Sequence, residues 1–153
     1  MKPINPQQHF LKLLKHSNEL KKKNKSLKNE DPETFDVFLD FLVTIENNLH
    51  YLEKEKYIEL ANFFLAGKMT ADDFSYCFMN IYEGISQKLA QMQKNESLEL
   101  ANFLKPSRPE LGELLARIYG SCDSFSPDPE IAMSDEKELE DCAQILLLKL
   151  QEE

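Results

Sequence analysis

The side chains of this 153-residue chain that could do chemistry are three histidines, three cysteines and 27 carboxylates. His9 and His16 stand seven residues apart and would share one face of a helix. No carboxylate or cysteine lies at ligand spacing to complete a metal site with them, and His50 is remote, so they read as solvated surface histidines. Cys77 and Cys142 fall on apolar stripes and behave as small hydrophobes of a core. Cys122 follows Ser121 at the end of a predicted helix, a position that leaves its exposure open. A Cys–His nucleophile pair built on it is the one enzymatic arrangement the residues leave open. An odd number of cysteines without CxxC spacing reads as reduced cytosolic thiols rather than a disulfide frame. The carboxylates are so numerous that no pair of them is specific. There is no Gly-rich phosphate loop, no GxSxG and no HExxH. A non-catalytic chain without metal or cofactor is expected.

Charge gives the first functional lead. The net charge is −9, but it is unevenly held. Residues 1–30 carry eight lysines and two glutamates, a net of +6, whereas residues 31–153 carry −15. Residues 110–153 alone hold twelve acids against Arg117, Lys137 and Lys149. A body this acidic is a poor binder of nucleic acid, whose affinity rests on neutralised phosphates. It suits a basic partner, or serves solubility alone.

The elements that must position these charges are helices. Length and 42% apolar content fit one domain with a real core. The longest aliphatic run, residues 145–148, is far too short to span a bilayer, and no apolar leader with a cleavage site follows the start, as expected of a soluble cytoplasmic chain. Glycine and valine are scarce, so strands are not expected, and helical periodicity runs through most of the sequence. Asn5 and Pro6 start a first helix with Phe10, Leu13, Leu14, Leu20 and Leu27 as a thin stripe and Lys21 to Lys23 as a basic face. Asp31 and Pro32 start a second, carrying Phe35, Phe38, Leu39, Leu42, Ile45 and Leu49. A third, over residues 55–66, presents Tyr57, Leu60, Ala61 and Phe64 and stops at Gly67, a left-handed cap. No breaker separates the second from the third, so one bent helix and two helices remain open. Thr70 caps a fourth, with Asp73 three residues on, and its stripe runs from Phe74 through Phe78, Ile81 and Ile85 to Met92. A short apolar piece spans residues 98–104. Pro109 starts a fifth helix with Leu111, Leu114, Leu115, Ile118 and Tyr119. Residues 122–130 contain two prolines and are not helical throughout. Ser134 opens the last helix, with Asp135 and Glu136 in its first turn and Leu139, Cys142, Leu146 and Leu150 inward. The phenylalanines at helical spacing read as core, with Phe41 and Phe63 slightly off the stripes and extending the contact surface between helices.

Three pieces, in order, carry a family resemblance. Tyr57-Ile-Glu-Leu-Ala-Asn-Phe-Phe-Leu-Ala-Gly67-Lys-Met-Thr70-Ala-Asp-Asp73-Phe74 looks like a helix, a small glycine turn and a capped helix. Leu111 to Tyr119 runs into Cys122, Asp123 and Phe125. Pro127-Asp128-Pro129-Glu130 precedes an acidic cap and a leucine-patterned last helix. Together they resemble the bacterial self-protective colicin-like immunity family, of colicin D type, over residues 55–151. The resemblance implies an antiparallel four-helix bundle at residues 55–153; residues 1–54 match nothing in the family and read, from their own pattern, as an N-terminal extension of a basic then an aromatic-rich helix. It also implies a function: inhibitory binding, without catalysis, to the basic nuclease domain of a tRNA-cleaving toxin.

On this reading the partner-binding residues are Glu110, Glu113, Asp123, Asp128, Glu130, Asp135 and Glu136, which would offer carboxylates to a Lys/Arg-lined cleft. Some of them also have local structural work, as turn formers or dipole partners. The alternative is a helical interaction or assembly subunit of a larger complex, motivated by residues 1–54, whose basic helix could meet an acidic surface, headgroups or nucleic acid.

Overall fold

A computed structural model describes residues 5–96, 103–104 and 109–151. Most of these are helical, in the order α1 (Pro6–Lys22), α2 (Leu27–Glu30), α3 (Pro32–Leu52), α4 (Lys54–Leu65), α5 (Ala71–Met92), α6 (Pro109–Ser124) and α7 (Glu136–Leu150). No strand occurs among the described residues; one isolated bridge joins Phe125 to Ser134. None of the helices described is long and apolar enough to cross a membrane. Most of the apolar piece expected at residues 98–104 lies outside the described residues.

Local chemistry sets the helix ends. Asn5 accepts the N–H of Gln7 ahead of Pro6, and Thr70 accepts the N–H of Asp73. Asp31 takes both the Thr34 N–H (3.2 Å) and the Thr34 hydroxyl (2.6 Å). These bonds, the hydroxyl first and the amide second, hold the Asp31 carboxyl below its ordinary value of 3.8. Gly67, at φ +74°, closes α4 with paired bonds from Gly67 N–H to the Phe64 carbonyl and from Lys68 N–H to the Phe63 carbonyl.

The same double bond pattern ends α1 at a place the apolar stripe does not mark. Asn24 sits at φ +58°, its N–H bonds the Lys21 carbonyl, and the Lys25 N–H bonds the Leu20 carbonyl. Asparagine tolerates this left-handed geometry, so the first predicted helix is cut. Leu27 belongs to α2, a single turn capped by Ser26. The open question at residues 51–56 resolves as two helices. The chain turns at Glu53, with tight bonds from its N–H to the His50 carbonyl and from Lys56 N–H to its own carbonyl. His50 and Tyr57 on either side are both buried and share a 2.9 Å hydrogen bond.

The chain divides into two compact units, Met1–Leu49 with Ser86–Ser107, and His50–Ile85 with Arg108–Glu153. In the first, Phe10, Leu13, Leu14 and Leu27 are buried, as are Phe38, Ile45 and Leu49 of α3. Phe10 stacks on Phe38 at 5.6 Å and meets Phe41 edge-on, while His9 also packs its ring against Phe41 at 5.3 Å. Phe41 thus extends the α1–α3 contact as its position predicts. Asn18 ties α1 to the Gln93 carbonyl and the Glu96 carboxylate.

The second unit holds the larger core. Tyr57, Leu60, Ala61 and Phe64 of α4, Ala71, Phe74 and Phe78 of α5, five residues of α6, and Leu139, Ala143, Leu146 and Leu150 of α7 form one buried cluster. Helix α7 packs on both α4 and α6. Phe64 stacks on Phe74 at 4.5 Å, and Tyr57 meets Phe78 at 5.3 Å. Tyr82 and Tyr119 lie 4.7 Å apart, and the Tyr119 hydroxyl donates to Glu83 at 2.6 Å. That bond, with some desolvation, pushes the Tyr119 hydroxyl up to about 12. Phe63 departs from expectation. It is 41% exposed and lies under the Lys68 ammonium, 5.5 Å from its ring centre, instead of joining a helix interface.

Two outcomes follow from this packing. Leu146→Ala removes a fully buried side chain and should cost about 2–5 kcal/mol, read as a lower urea midpoint with an unchanged slope. Asp31, lowered in the folded state, stabilises the fold above its unfolded value, and that contribution is lost as the pH falls through its folded value. A carboxyl NMR titration should therefore place its midpoint below 3.8; a midpoint at or above it would contradict the cap.

Candidate functional site

The predicted partner-binding carboxylates all fall in the second unit, on α6, α7 and the segment joining them, and all seven are exposed. Glu110 and Glu113 stand in the first turns of α6, where Glu110 lies 3.8 Å from Lys149 of α7. Asp123 is near the other end of α6. Asp128 and Glu130 are in the joining segment, and Asp135 and Glu136 begin α7. Glu110 and Asp123 thus sit thirteen residues apart along a helix, about 20 Å at 1.5 Å per residue. The set makes an acidic face rather than a single point.

Residues 125–134 are not a slack tether. The Ser124 carbonyl accepts two N–H groups, from Met133 at 2.9 Å and Ser134 at 3.3 Å, which closes the segment at its base. Near its tip, the Asp128 carbonyl accepts the N–H groups of Ile131 and Ala132, and the Asp128 side chain accepts that of Glu130 at 3.0 Å. The Asp128 N–H itself donates to the Ser126 hydroxyl. On this tied backbone Ile131 is 69% exposed and Met133 86% exposed. Both are large apolar side chains held in water between the carboxylates of Asp128, Glu130 and Asp135.

The last helix begins one residue later than Ser134 predicts. Asp135 is its cap, and its Oδ1 accepts the Glu138 N–H at 2.8 Å. Beside it lies a groove of about 620 Å³ into which the first turns of both α5 and α7 open. Met69, Phe125, Pro127 and Pro129 give it apolar walls, and Asp72, Asp135 and Glu136 supply carboxylates. Asp128 and Glu130 stand on the same loop but do not line it. The sequence reading missed Asp72. The signal was present, because a Thr70 cap puts the second residue of α5 in the same dipole-facing turn that marked Glu136 on α7.

The enzymatic arrangement fares differently. Cys122, whose exposure the sequence leaves open, is buried in the core cluster. Residues 121–124 continue α6, so Cys122 stays on its inner stripe with Leu111, Leu115 and Ile118. Burial pushes its thiol up to about 12, with the neighbouring Cys142 adding to the effect. An activated cysteine needs the opposite shift. Cys77 and Cys142 are half-buried. Among the described residues no group of three His, Cys, Asp or Glu is placed to hold a metal ion.

No family model matches the chain, and no curated protein and no solved structure matches it.

Iodoacetamide at pH 8 should leave Cys122 unmodified in the native protein and alkylate it once urea unfolds the chain, with peptide mass spectrometry as the readout. Rapid native labelling of Cys122 would refute its burial. Asp135→Ala should cost about 1 kcal/mol through loss of the cap, whereas Glu136→Gln should leave the melting temperature within a degree or two, because it carries no cap bond.

Proposed function

We propose that this chain is a non-catalytic binding protein whose acidic face, formed by α6, residues 125–134 and the start of α7, engages a basic protein surface. The observation that carries the reading is the joining segment, where a backbone fixed by its own hydrogen bonds holds Ile131 and Met133 out among Asp128, Glu130 and Asp135. Carboxylates at long range attract and orient a Lys/Arg-rich partner, and exposed apolar side chains inside the acidic field supply short-range packing. Nucleic acid is not expected at this face, since it would meet like charge.

The resemblance to colicin-D-type immunity proteins narrows the partner to the nuclease domain of a tRNA-cleaving toxin, whose basic cleft the acidic face would cover. The sharing of one core by α4, α5, α6 and α7 supports the four-helix arrangement which that resemblance implies. A second reading, a helical subunit of a larger assembly, draws on Leu39 and Val43. These lie one turn apart on α3 and are exposed, with Val37 nearby.

Capture on the tagged full-length chain from its source cell, with the bound proteins identified by mass spectrometry, separates the two. Recovery of a basic nuclease, inhibited by the chain in a tRNA-cleavage assay, fits the first reading. A stable multi-subunit complex without one sinks it. With the partner in hand, the variant combining Glu110→Gln, Glu113→Gln, Asp128→Asn and Glu130→Gln should slow association about tenfold at low salt and flatten its salt dependence. Asn at residue 128 keeps the acceptor that Glu130 uses, so an unchanged urea midpoint is expected alongside.

A further inference from the structure

The groove at the start of α5 and α7 points to more than general acidity: we propose that it is a socket for a single arginine side chain of the basic partner. The inference rests on the binding function proposed above and adds the chemistry of one contact. The groove combines two properties that one occupant satisfies together. Its walls at Met69, Phe125, Pro127 and Pro129 are apolar, while Asp72, Asp135 and Glu136 carry charge. A side chain with an aliphatic stem and a cationic end matches that pairing, the stem covering the apolar walls and the head meeting carboxylates.

The sign of the charge decides against the obvious competitor, an anion at the paired helix starts. Each N-terminus contributes about half a positive charge, so two give about +1. Three acidic residues, Asp72, Asp135 and Glu136, line the same space, and no lysine, arginine or histidine does. The sum favours a cation. The amides that most favour an anion are in part already used, because Thr70 accepts the N–H of Asp73 and Asp135 that of Glu138. Asp135 Oδ1 takes one such bond, and an ionised carboxylate has further acceptor sites.

Geometry then favours arginine over lysine. A planar guanidinium carries five donors in a fixed fork and lies flat on aromatic and ring surfaces such as Phe125 and the two prolines. Ser134, only 7% exposed, also lines the groove. Its hydroxyl makes no hydrogen bond with the protein among the described residues, and it is available to accept from such a fork. Neighbouring residues hold the groove in shape. The Phe125 N–H bonds the Cys122 carbonyl, and the Ser134 N–H bonds the Ser124 carbonyl, so the socket does not have to be assembled when the partner arrives.

The test uses the isolated full-length chain and a defined probe, Nα-acetyl-arginine amide, titrated into 15N-labelled protein and followed by amide chemical shifts. Saturable shifts confined to residues 69–72, 125–127 and 132–136 are expected, while the citrulline analogue, equal in shape but uncharged, should produce none at the same concentration. The Asp72→Asn, Glu136→Gln double variant should raise the dissociation constant about tenfold and retain the native spectrum elsewhere. Equal shifts from the citrulline analogue would overturn the proposal, as would shifts spread evenly over the acidic surface, or inorganic phosphate saturating the groove where the arginine probe does not. The two proposals fail separately. An empty groove leaves the carboxylates of α6 and the loop free to bind a basic protein, and an occupied groove in a chain that captures no basic protein removes the function while keeping the socket.

Discussion

Everything at the candidate site depends on where α7 puts its apolar stripe. A 15-residue helix is marginal by itself in water, so Leu139, Ala143, Leu146 and Leu150 must find a surface, and they find it on α4 and α6. That single burial fixes the rotation of the helix about its axis. Once the stripe faces inward, Asp141, Ile145 and Leu148 face water, and the start of α7 comes to lie beside the start of α5. The segment from residue 125 to 134 then has to span a set distance, and the Ser124 carbonyl closes it by taking two amides at once. Ile131 and Met133 stand outward because the backbone is held, not because the loop is loose.

The acidic residues at this end do two kinds of work. Asp135 caps α7, Asp128 folds the turn that places Glu130, and Asp72 and Glu136 sit where helix starts favour negative charge. These local uses explain why so much like charge is tolerated near one place: each carboxylate is partly compensated by amides or a helix end before any partner is present. They also mean that acidity alone is weak evidence of binding. This face adds exposed apolar side chains at Ile131 and Met133 and a groove with apolar walls to its carboxylates.

Helix starts were the most legible feature of the sequence. Asn5-Pro6, Asp31-Pro32, Thr70 and Pro109 each mark a start in the structure, because capping and fixed-φ chemistry act within four residues. Helix ends were legible only where glycine signalled them. Gly67 was read correctly, whereas Asn24 does the same job inside a lysine run that gives no hint of it. The turn at Glu53 carries no breaker at all. It coincides with the burial of His50 and Tyr57 on either side and their shared hydrogen bond, which residue types at 51–56 do not signal. The burial of Cys122 is not legible for a related reason: α6 continues through Ser124, which keeps the thiol on the inner stripe. Of the site, the seven carboxylates were legible as exposed. The groove was not, since Asp72 lies more than sixty residues from Asp135 in sequence and meets it only through the packing of α5 and α7.

Charge and shape divide the task of recognition unequally. At physiological ionic strength the field of a carboxylate is screened over about 8 Å, so the acidic third of the chain can hasten the approach of any basic protein but cannot tell one from another. Exposed ion pairs add little beyond that, typically under about 1 kcal/mol each. Discrimination has to come from contacts that exclude water, where a misfit leaves a charge or an apolar surface unmatched. The Ile131–Met133 prominence and the groove at the start of α5 and α7 are two features of the second unit that could do so. On the function proposed above, a basic partner that fits both would present an apolar hollow next to a projecting cation. Such a requirement is far narrower than positive charge, and under that proposal it would make a strongly acidic surface selective.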